Sequence, residues 1–294
     1  MYLITGATGN VGREIVRIFG AVNIEARALA RQSINSELPK CIDVVAADLK
    51  NNPECLSQLF EGITAAFLNP AAIQEPEPFL EQAKKRGVKK IVLLSAIPVR
   101  DDLPLEQQPG FIARRHKGIE QTIEKSGMDW VHVRSNMLMS NAFFEVAPQI
   151  RRSDIYRGAY ADAMEVPVDE RDVAAVVARV LLEDKHAGSV YNLTGPEAIS
   201  HRQKIALIAI AIKRQLAFEE LTHAEAKSWI AASFPMQHSN GLGDEHIETV
   251  LRYMAESVGK PPLITDTVEC ICGRKATSYA RWAMDNAHRF AVTS

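Results

Sequence analysis

The sequence predicts an α/β fold: a doubly wound parallel sheet followed by a smaller, mostly helical C-terminal cap domain. Three observations lead there. Short apolar segments alternate with amphipathic ones through the first half, the pattern of successive βαβ units. Three of the 16 glycines, Gly6, Gly9 and Gly12, fall where the first strand turns into the first helix. Beyond the first half the apolar periodicity becomes predominantly helical, which divides the chain into a domain over 1–153 and a second over 154–294, with a strand or two of the second returning to the sheet.

Tyr2–Thr5 reads as the first strand, and the Gly-rich turn opens a helix from about Val11 to Phe19. Asn23–Ala30 and Ile42–Ala47 read as the next strands. A helix follows with Asn52 as N-cap, Pro53 at the first helical position and Gly62 as its stop. Thr64–Leu68 is a strand, Pro78–Arg86 a helix ending at Gly87, and Lys90–Ser95 a strand apolar enough for burial on both faces of a parallel sheet. Phe111–Lys125 is a helix ending at Gly127, and Trp130–Arg134 the sixth strand.

In the second half, Asp169–Glu183 places Val173, Val176, Val177, Val180 and Leu181 on one helical face. Val190–Leu193 reads as a strand. Ser200 and Gln203 form a capping box for a helix running to about Leu216. Helices follow over Ala224–Ala231, Glu245–Glu256 and Thr277–Asn286, with loops at Arg100–Gly110 and Ser233–Gly243. This part is expected to cap the C-terminal edge of the sheet, where open α/β folds bind ligands.

Bulk properties exclude several classes. The chain has 294 residues, 47% hydrophobic and 24% charged, which excludes disorder and fibrous folds. The formal net charge of -2 gives no field toward nucleic acid or an acidic membrane, and no basic stripe emerges. The longest apolar run, Ile205–Ile212, falls far short of the about 20 residues a bilayer span needs, and Tyr2–Ile4 lacks the length and basic flank of a signal peptide. The expectation is a cytoplasmic protein, monomeric or homodimeric, whose partner is a small-molecule substrate. Cys41, Cys55, Cys270 and Cys272 lack metal-hairpin spacing and are expected reduced and buried, with no metal site.

Thr5-Gly-Ala-Thr-Gly-Asn-Val-Gly12 follows a strand and opens a helix, as a dinucleotide-binding turn requires. Gly6 allows the tight turn, Gly9 lets backbone approach a pyrophosphate, and Gly12 lets helix and strand pack closely. The helix N-terminus offers its free N–H groups to the phosphates. An NAD site usually places an acid at the end of the second strand; here Arg31 stands there instead, and a guanidinium grips a ribose 2′-phosphate, pointing to NADP(H). Arg27 lies nearer the strand's start. Asp48, ending the third strand, accepts from the adenine amino group or simply begins the turn. Asn69-Pro70 and Ser95-Ala96 end the next two strands at the same crevice, or punctuate loops.

Taken together the sequence resembles the NmrA-like group of atypical short-chain dehydrogenases/reductases. The resemblance is carried by Ile4-Thr-Gly-Ala-Thr-Gly-Asn-Val-Gly12, Ala26-Arg-Ala-Leu-Ala-Arg31, Ala47-Asp-Leu49 and Ser126-Gly-Met-Asp-Trp-Val-His-Val-Arg134. Tyr191-Asn-Leu-Thr-Gly-Pro-Glu197 and Gly273-Arg-Lys-Ala-Thr-Ser-Tyr-Ala-Arg-Trp282 look like the tail of the bacterial members. It implies a Rossmann domain with NADP(H) extended over the strand ends and a C-terminal domain forming the substrate cleft. It also implies phosphate contacts from Gly6, Thr8, Gly9, Asn10, Val11 and Arg31. Asp48, Leu49, Asn69, Pro70, Ser95 and Lys117 complete the expected cofactor-binding set. Two departures are visible. None of the six tyrosines has Lys four residues later, so the usual Tyr–Lys dyad is absent, and Ser135 follows Arg134 where many members carry Pro.

Lys117, on the helix after the fifth strand, is the candidate catalytic residue: it hydrogen-bonds the nicotinamide ribose or relays a proton as a general acid. Alternatively Arg114, Arg115, His116 and Lys117 form one solvated basic face. His116 reads as a half-buried packing residue, and His238 sits in a loop within reach of the cleft. No Gly-x-Ser-x-Gly elbow exists. Three functions fit: an NADPH-dependent oxidoreductase acting on a small quinone, enone or ketone, a non-catalytic NADP(H)-sensing regulator, and a nonredox biosynthetic enzyme on the same fold.

Overall fold

A computed structural model describes residues 1–31, 38–49, 56–233, 243–260 and 262–291. The expected caps Asn52 and Pro53, Cys55, and His238 lie outside these residues. The chain forms two compact units, the first from Met1–Ser135, Glu170–Leu193 and Thr267–Arg274, the second from Asn136–Asp169, Thr194–Asp266 and Lys275–Ser294.

In chain order the first unit begins with β1 (Tyr2–Thr5), α1 (Asn10–Ala21), β2 (Ala26–Ala30), β3 (Ile42–Ala46), α2 (Leu56–Leu59), β4 (Ala65–Leu68), α3 (Pro76–Lys85), β5 (Lys90–Ala96), α4 (Gly110–Lys125) and β6 (Asp129–Ser135). The second unit takes α5 (Ala142–Glu145), α6 (Ala147–Ile150), β7 (Ile155–Ala159) and β8 (Met164–Glu165). The chain returns to the first with α7 (Glu170–Leu182) and β9 (Ser189–Leu193). It then adds β10 (Ile199–Ser200), α8 (His201–Ile212), β11 (Ala217–Leu221), α9 (His223–Ser233) and α10 (Asp244–Ser257) to the second unit. Finally α11 (Thr267–Cys272) joins the first unit and α12 (Tyr279–Asp285) the second.

The first unit is built on a seven-stranded sheet of order β3-β2-β1-β4-β5-β6-β9, parallel throughout. The expected Rossmann-type doubly wound sheet is therefore present, and its strand order reverses between β1 and β4, the switch point at which such sheets bind ligands. Strand β4 is buried at every position, as a central parallel strand covered on both faces must be. One core packs Leu3, Leu68, Leu93 and Ile123 with Phe60 and Phe79, whose rings meet edge to face at 4.9 Å. Helix α7 buries Val173, Val176, Val177 and Val180 and packs against α1 and across β4, β5 and β6. The chain leaves the first unit after Ser135 and comes back to it through α7 and β9, which pairs with β6.

The second unit packs Met139, Val146, Ile150, Ile205, Ile208, Trp282 and Phe290. The Ser200 capping box forms both its bonds, Gln203 N–H to Ser200 Oγ at 3.2 Å and Ser200 N–H to Gln203 Oε1 at 2.7 Å. Helix α8 stops at Ile212, short of the expected Leu216, because Lys213 turns left-handed at φ 56°. Two small sheets were not anticipated: β7 with β11, parallel, and β8 with β10, antiparallel. Cys270 is exposed, against the expectation of burial, and Cys41 and Cys272 are half-buried. Among the described residues no helix is long and apolar enough to cross a membrane.

Candidate functional site

The turn after β1 is shaped by close approach. Gly6 adopts φ 63°, a left-handed conformation, and a Cβ there would sit 2.9 Å from the Asn69 amide nitrogen. The Gly9 N–H closes the turn on the Gly6 carbonyl at 2.9 Å. A Cβ on Gly12 would collide with that same carbonyl oxygen. Helix α1 thus starts hard against the turn. Its N-cap, Gly9, supplies no side-chain hydrogen bond, and its first turn contains no acidic residue. The N-terminal amides and their positive dipole end are left for an anion, which fits a pyrophosphate. Thr8 is exposed, Asn10 half-buried and Val11 buried at this edge. Asn10 Oδ1 accepts from Arg13 at 3.3 Å.

Thr5 ties this turn to the end of β4. Its hydroxyl donates to the Phe67 carbonyl at 3.0 Å and accepts from the Asn69 N–H at 2.8 Å. Asn69 in turn caps the short helical turn Pro70–Ala72, accepting from the Ala71 N–H at 3.0 Å. Arg115 of α4 donates to the Pro70 carbonyl at 2.8 Å, fixing the same turn from the helix side. Gly6, Gly9, Asn69 and Pro70 are thereby gathered at the switch point.

Arg31 stands exposed immediately beyond β2. Arg27 does different work: its Nε donates to Asp43 at 2.7 Å and its Nη1 to the carbonyl of Leu59 at 2.9 Å. It is a clamp between β2, β3 and the end of α2, as its place early in the strand foreshadows. Asp48 is half-buried and Leu49 buried, just past β3, whose end is joined to β2 by the Ala47 N–H to Ala30 carbonyl bond at 2.9 Å.

Ser95 is 2% exposed, and its hydroxyl donates to Glu120 of α4 at 2.6 Å, so its side chain serves the sheet–helix interface. Glu120 is fully buried and takes a two-pronged bond from Arg134 of β6, Nε to Oε1 at 2.9 Å and Nη2 to Oε2 at 2.7 Å. Arg134 also grips Asp101 through Nη1 and Nη2, both at 2.7 Å. Lys117 donates from Nζ to the same Asp101 at 2.8 Å. Lys117 is buried, so the basic run on α4 is not one solvated face. Burial works against the Glu120 carboxylate, but Arg134 and Ser95 outweigh it and hold its pKa below the ordinary value. Hydrogen bonds from Arg134 and Lys117 hold Asp101 well below the usual carboxylate range.

His116 is half-buried, as expected of a packing residue. Its Nδ1 is buried without a partner, and burial lowers its pKa to about 4, so the ring is neutral at pH 7. Glu120, Glu124 and His132 present ligand-type atoms within 4.8 Å of one another. Both Glu120 oxygens are already taken by Arg134, which makes this an ion-pair network. Sequence reasoning missed Glu120 and Asp101. The available signal was Arg134 itself, since a guanidinium inside a buried strand requires carboxylate partners.

The second unit encloses a cavity of about 830 Å³. Phe143, Trp229, Ile247, Leu251 and Met254 line its apolar wall. Strand β8 delivers Glu165, and the first turn of α8 delivers His201 and Lys204 on one helical face. Lys204 Nζ lies 2.8 Å from Glu165 and 3.5 Å from Glu145, and His201 Nε2 lies 3.7 Å from the other Glu165 oxygen. Burial opposes both charges, yet Lys204 and His201 hold the Glu165 pKa down at about 2 and the two carboxylates hold the Lys204 pKa well above its ordinary value.

Comparison with known proteins bears on both units. A family model described as NAD(P)H-binding matches residues 6–184. The (4-alkanoyl-5-oxo-2,5-dihydrofuran-3-yl)methyl phosphate reductase of Streptomyces griseus is 31% identical over 296 residues, covering 99% of each chain. Among solved structures, the NADPH-dependent quinone oxidoreductase of Escherichia coli, complexed with NADPH, has a TM-score of 0.73 at 22% identity, covering 97% of this chain and 99% of that one. NmrA, a negative transcriptional regulator solved with NAD, has a TM-score of 0.70 at 17% identity, covering 97% and 94%.

Proposed function

Because the chain belongs to the NAD(P)H-binding family, we propose that it is an NADPH-dependent oxidoreductase that transfers hydride to a small organic substrate such as a quinone, an enone or a ketone. The observation that carries this reading is the uncapped N-terminus of α1 set against the Gly6–Gly12 turn at the sheet's switch point. The reductase activity named for the Streptomyces relative supports it.

In this reading Gly6, Thr8, Gly9, Asn10 and Val11 hold the pyrophosphate, Arg31 the 2′-phosphate, and Asp48 and Leu49 the adenine side. Asn69 and Pro70 border the cofactor at the end of β4. NADPH, when bound, supplies the hydride. Lys117 donates a hydrogen bond to the nicotinamide ribose or a proton to the reduced product, and Asp101, itself gripped by Arg134, sets where its ammonium stands.

Two outcomes are expected. Arg31→Ala weakens NADPH binding ten-fold or more and NADH binding little, as read by calorimetric titration of both nucleotides; equal losses would remove the 2′-phosphate role. With NADPH absorbance followed against a panel of quinones, enones and ketones, Lys117→Met lowers kcat by about 10²-fold. Tight NADPH binding with no turnover anywhere in the panel would replace the enzyme reading with that of an NADP(H) sensor.

A further inference from the structure

We propose that the cavity of the second unit is a ligand site that selects an uncharged, largely apolar molecule bearing a hydrogen-bond-accepting oxygen, and that it turns away carboxylates, sulfonates and phosphates. The ligand's role as substrate rests on the reductase reading; its binding and its charge selectivity do not.

Size and lining argue for a small organic ligand. A volume of about 830 Å³ lies within the range of sites that enclose drug-sized molecules, and such sites are mainly apolar with a few placed polar groups. Trp229 is 36% exposed, a large apolar surface held open on the cavity wall.

The charge inventory decides the class. The ionisable groups on the wall, among the described residues, are Glu145, Tyr156, Arg157, Glu165, His201, Lys204 and His246, and burial pushes the Tyr156 hydroxyl up to about 12, so it stays neutral. Lys204 is claimed by Glu165 and Glu145. Arg157 is claimed by Glu219, at 3.0 Å. Burial lowers the pKa of His246, leaving that ring neutral at pH 7. With Lys204 and Arg157 each facing a carboxylate and His201 set against Glu165, the wall has no surplus cation. An anion entering it gives up hydration and meets no free positive partner. A cation gives up its hydration and is repelled by the Lys204 ammonium, which lies within 3.5 Å of both carboxylates. A neutral carbonyl oxygen needs only a donor, and the ammonium of Lys204, with two carboxylate neighbours, retains at least one of its three N–H groups. Lys204 stays protonated under the influence of those carboxylates, so it polarises an oxygen without surrendering its proton. The buried, unpartnered Nδ1 of His246 offers a second polar contact on the same wall.

The test is quenching of tryptophan fluorescence in the full-length protein without nucleotide. The probes are 1,4-naphthoquinone, its 2-sulfonate and its trimethylammonium-methyl counterpart. Trp229→Phe identifies the signal from the cavity. The neutral quinone is expected to bind at least ten-fold more tightly than either charged probe. Lys204→Met combined with Glu165→Leu removes both halves of the pair together and is expected to weaken quinone binding about ten-fold. The charge series on the unaltered protein decides the matter even if that double variant fails to fold. Sulfonate or ammonium binding as tight as the quinone's overturns the selectivity, and absence of Trp229-dependent quenching by all three overturns the site. Quinone binding without NADPH oxidation leaves this inference standing and counts against the reductase reading alone.

Discussion

Replacing Glu120 with leucine is expected to destabilise the protein by about 3–5 kcal/mol, the effect of stripping a buried guanidinium of its main partner. Glu120 is fully buried and Arg134 only 4% exposed, so water cannot substitute for the lost carboxylate. Asp101, the other partner of Arg134, has a side chain 60% exposed and cannot balance the charge from inside. Urea unfolding reads the loss as a lower midpoint at unchanged slope. Adding Arg134→Met to Glu120→Leu is expected to recover most of it, because two apolar side chains replace the pair without leaving either charge alone. If the single variant unfolds at the unaltered midpoint, the network is not holding α4 to the sheet. The sign of the pH dependence follows from the lowered pKa of Glu120. Its stabilisation is complete above the ordinary carboxylate value and is lost as pH falls through the lowered one, so the gap between the single variant and the unaltered protein narrows in acid.

Gly12→Val is expected to abolish nucleotide binding, lowering affinity for NADPH and NADH alike by at least about 100-fold, with about 1–3 kcal/mol lost from stability through overpacking. A Cβ at this position collides with the Gly6 carbonyl oxygen and lies 3.1 Å from the Ala7 Cα. Both are backbone atoms and cannot rotate aside. Relief requires α1 to lift from β1, which carries the helix N-terminus away from the turn. Calorimetric titration separates this outcome from Arg31→Ala, which spares NADH. Binding of either nucleotide within three-fold of the unaltered protein would show that the Gly6–Gly12 turn does not form the site.

The readability of these features from sequence has physical limits. The strands and helices of the first unit announce themselves because a buried parallel strand must be apolar at nearly every position, as Ala65–Leu68 is. The Ser200–Gln203 box was equally legible, since its chemistry is local. The pairing of β7 with β11 was not. Ala217, Glu219 and Glu220 are exposed, so that strand lacks an apolar face to recognise. Within the turn after β1, the backbone demands at Gly6 and Gly12 were readable because turn geometry belongs to contiguous residues. The bond from Ser95 to Glu120 was not legible, because the two stand 25 residues apart in the chain. Lys204 on a helix reads as solvated until Glu165, brought in by β8, is seen to bury with it.

The threading of the chain has a consequence for synthesis. One edge of β6 is covered only by β9, and everything between Ser135 and Glu170 is second-unit sequence. On the ribosome, β6 emerges with that edge unsatisfied, and it stays so until residue 193 has left the exit tunnel. Over that interval the nascent sheet presents an open strand edge, the kind of surface chaperones shield and aggregates extend. The vulnerable interval in this protein's synthesis is therefore the one in which β6 has left the exit tunnel and β9 has not. Pauses within that interval should prolong the exposure of β6, and pauses after β9 has left the tunnel should be harmless.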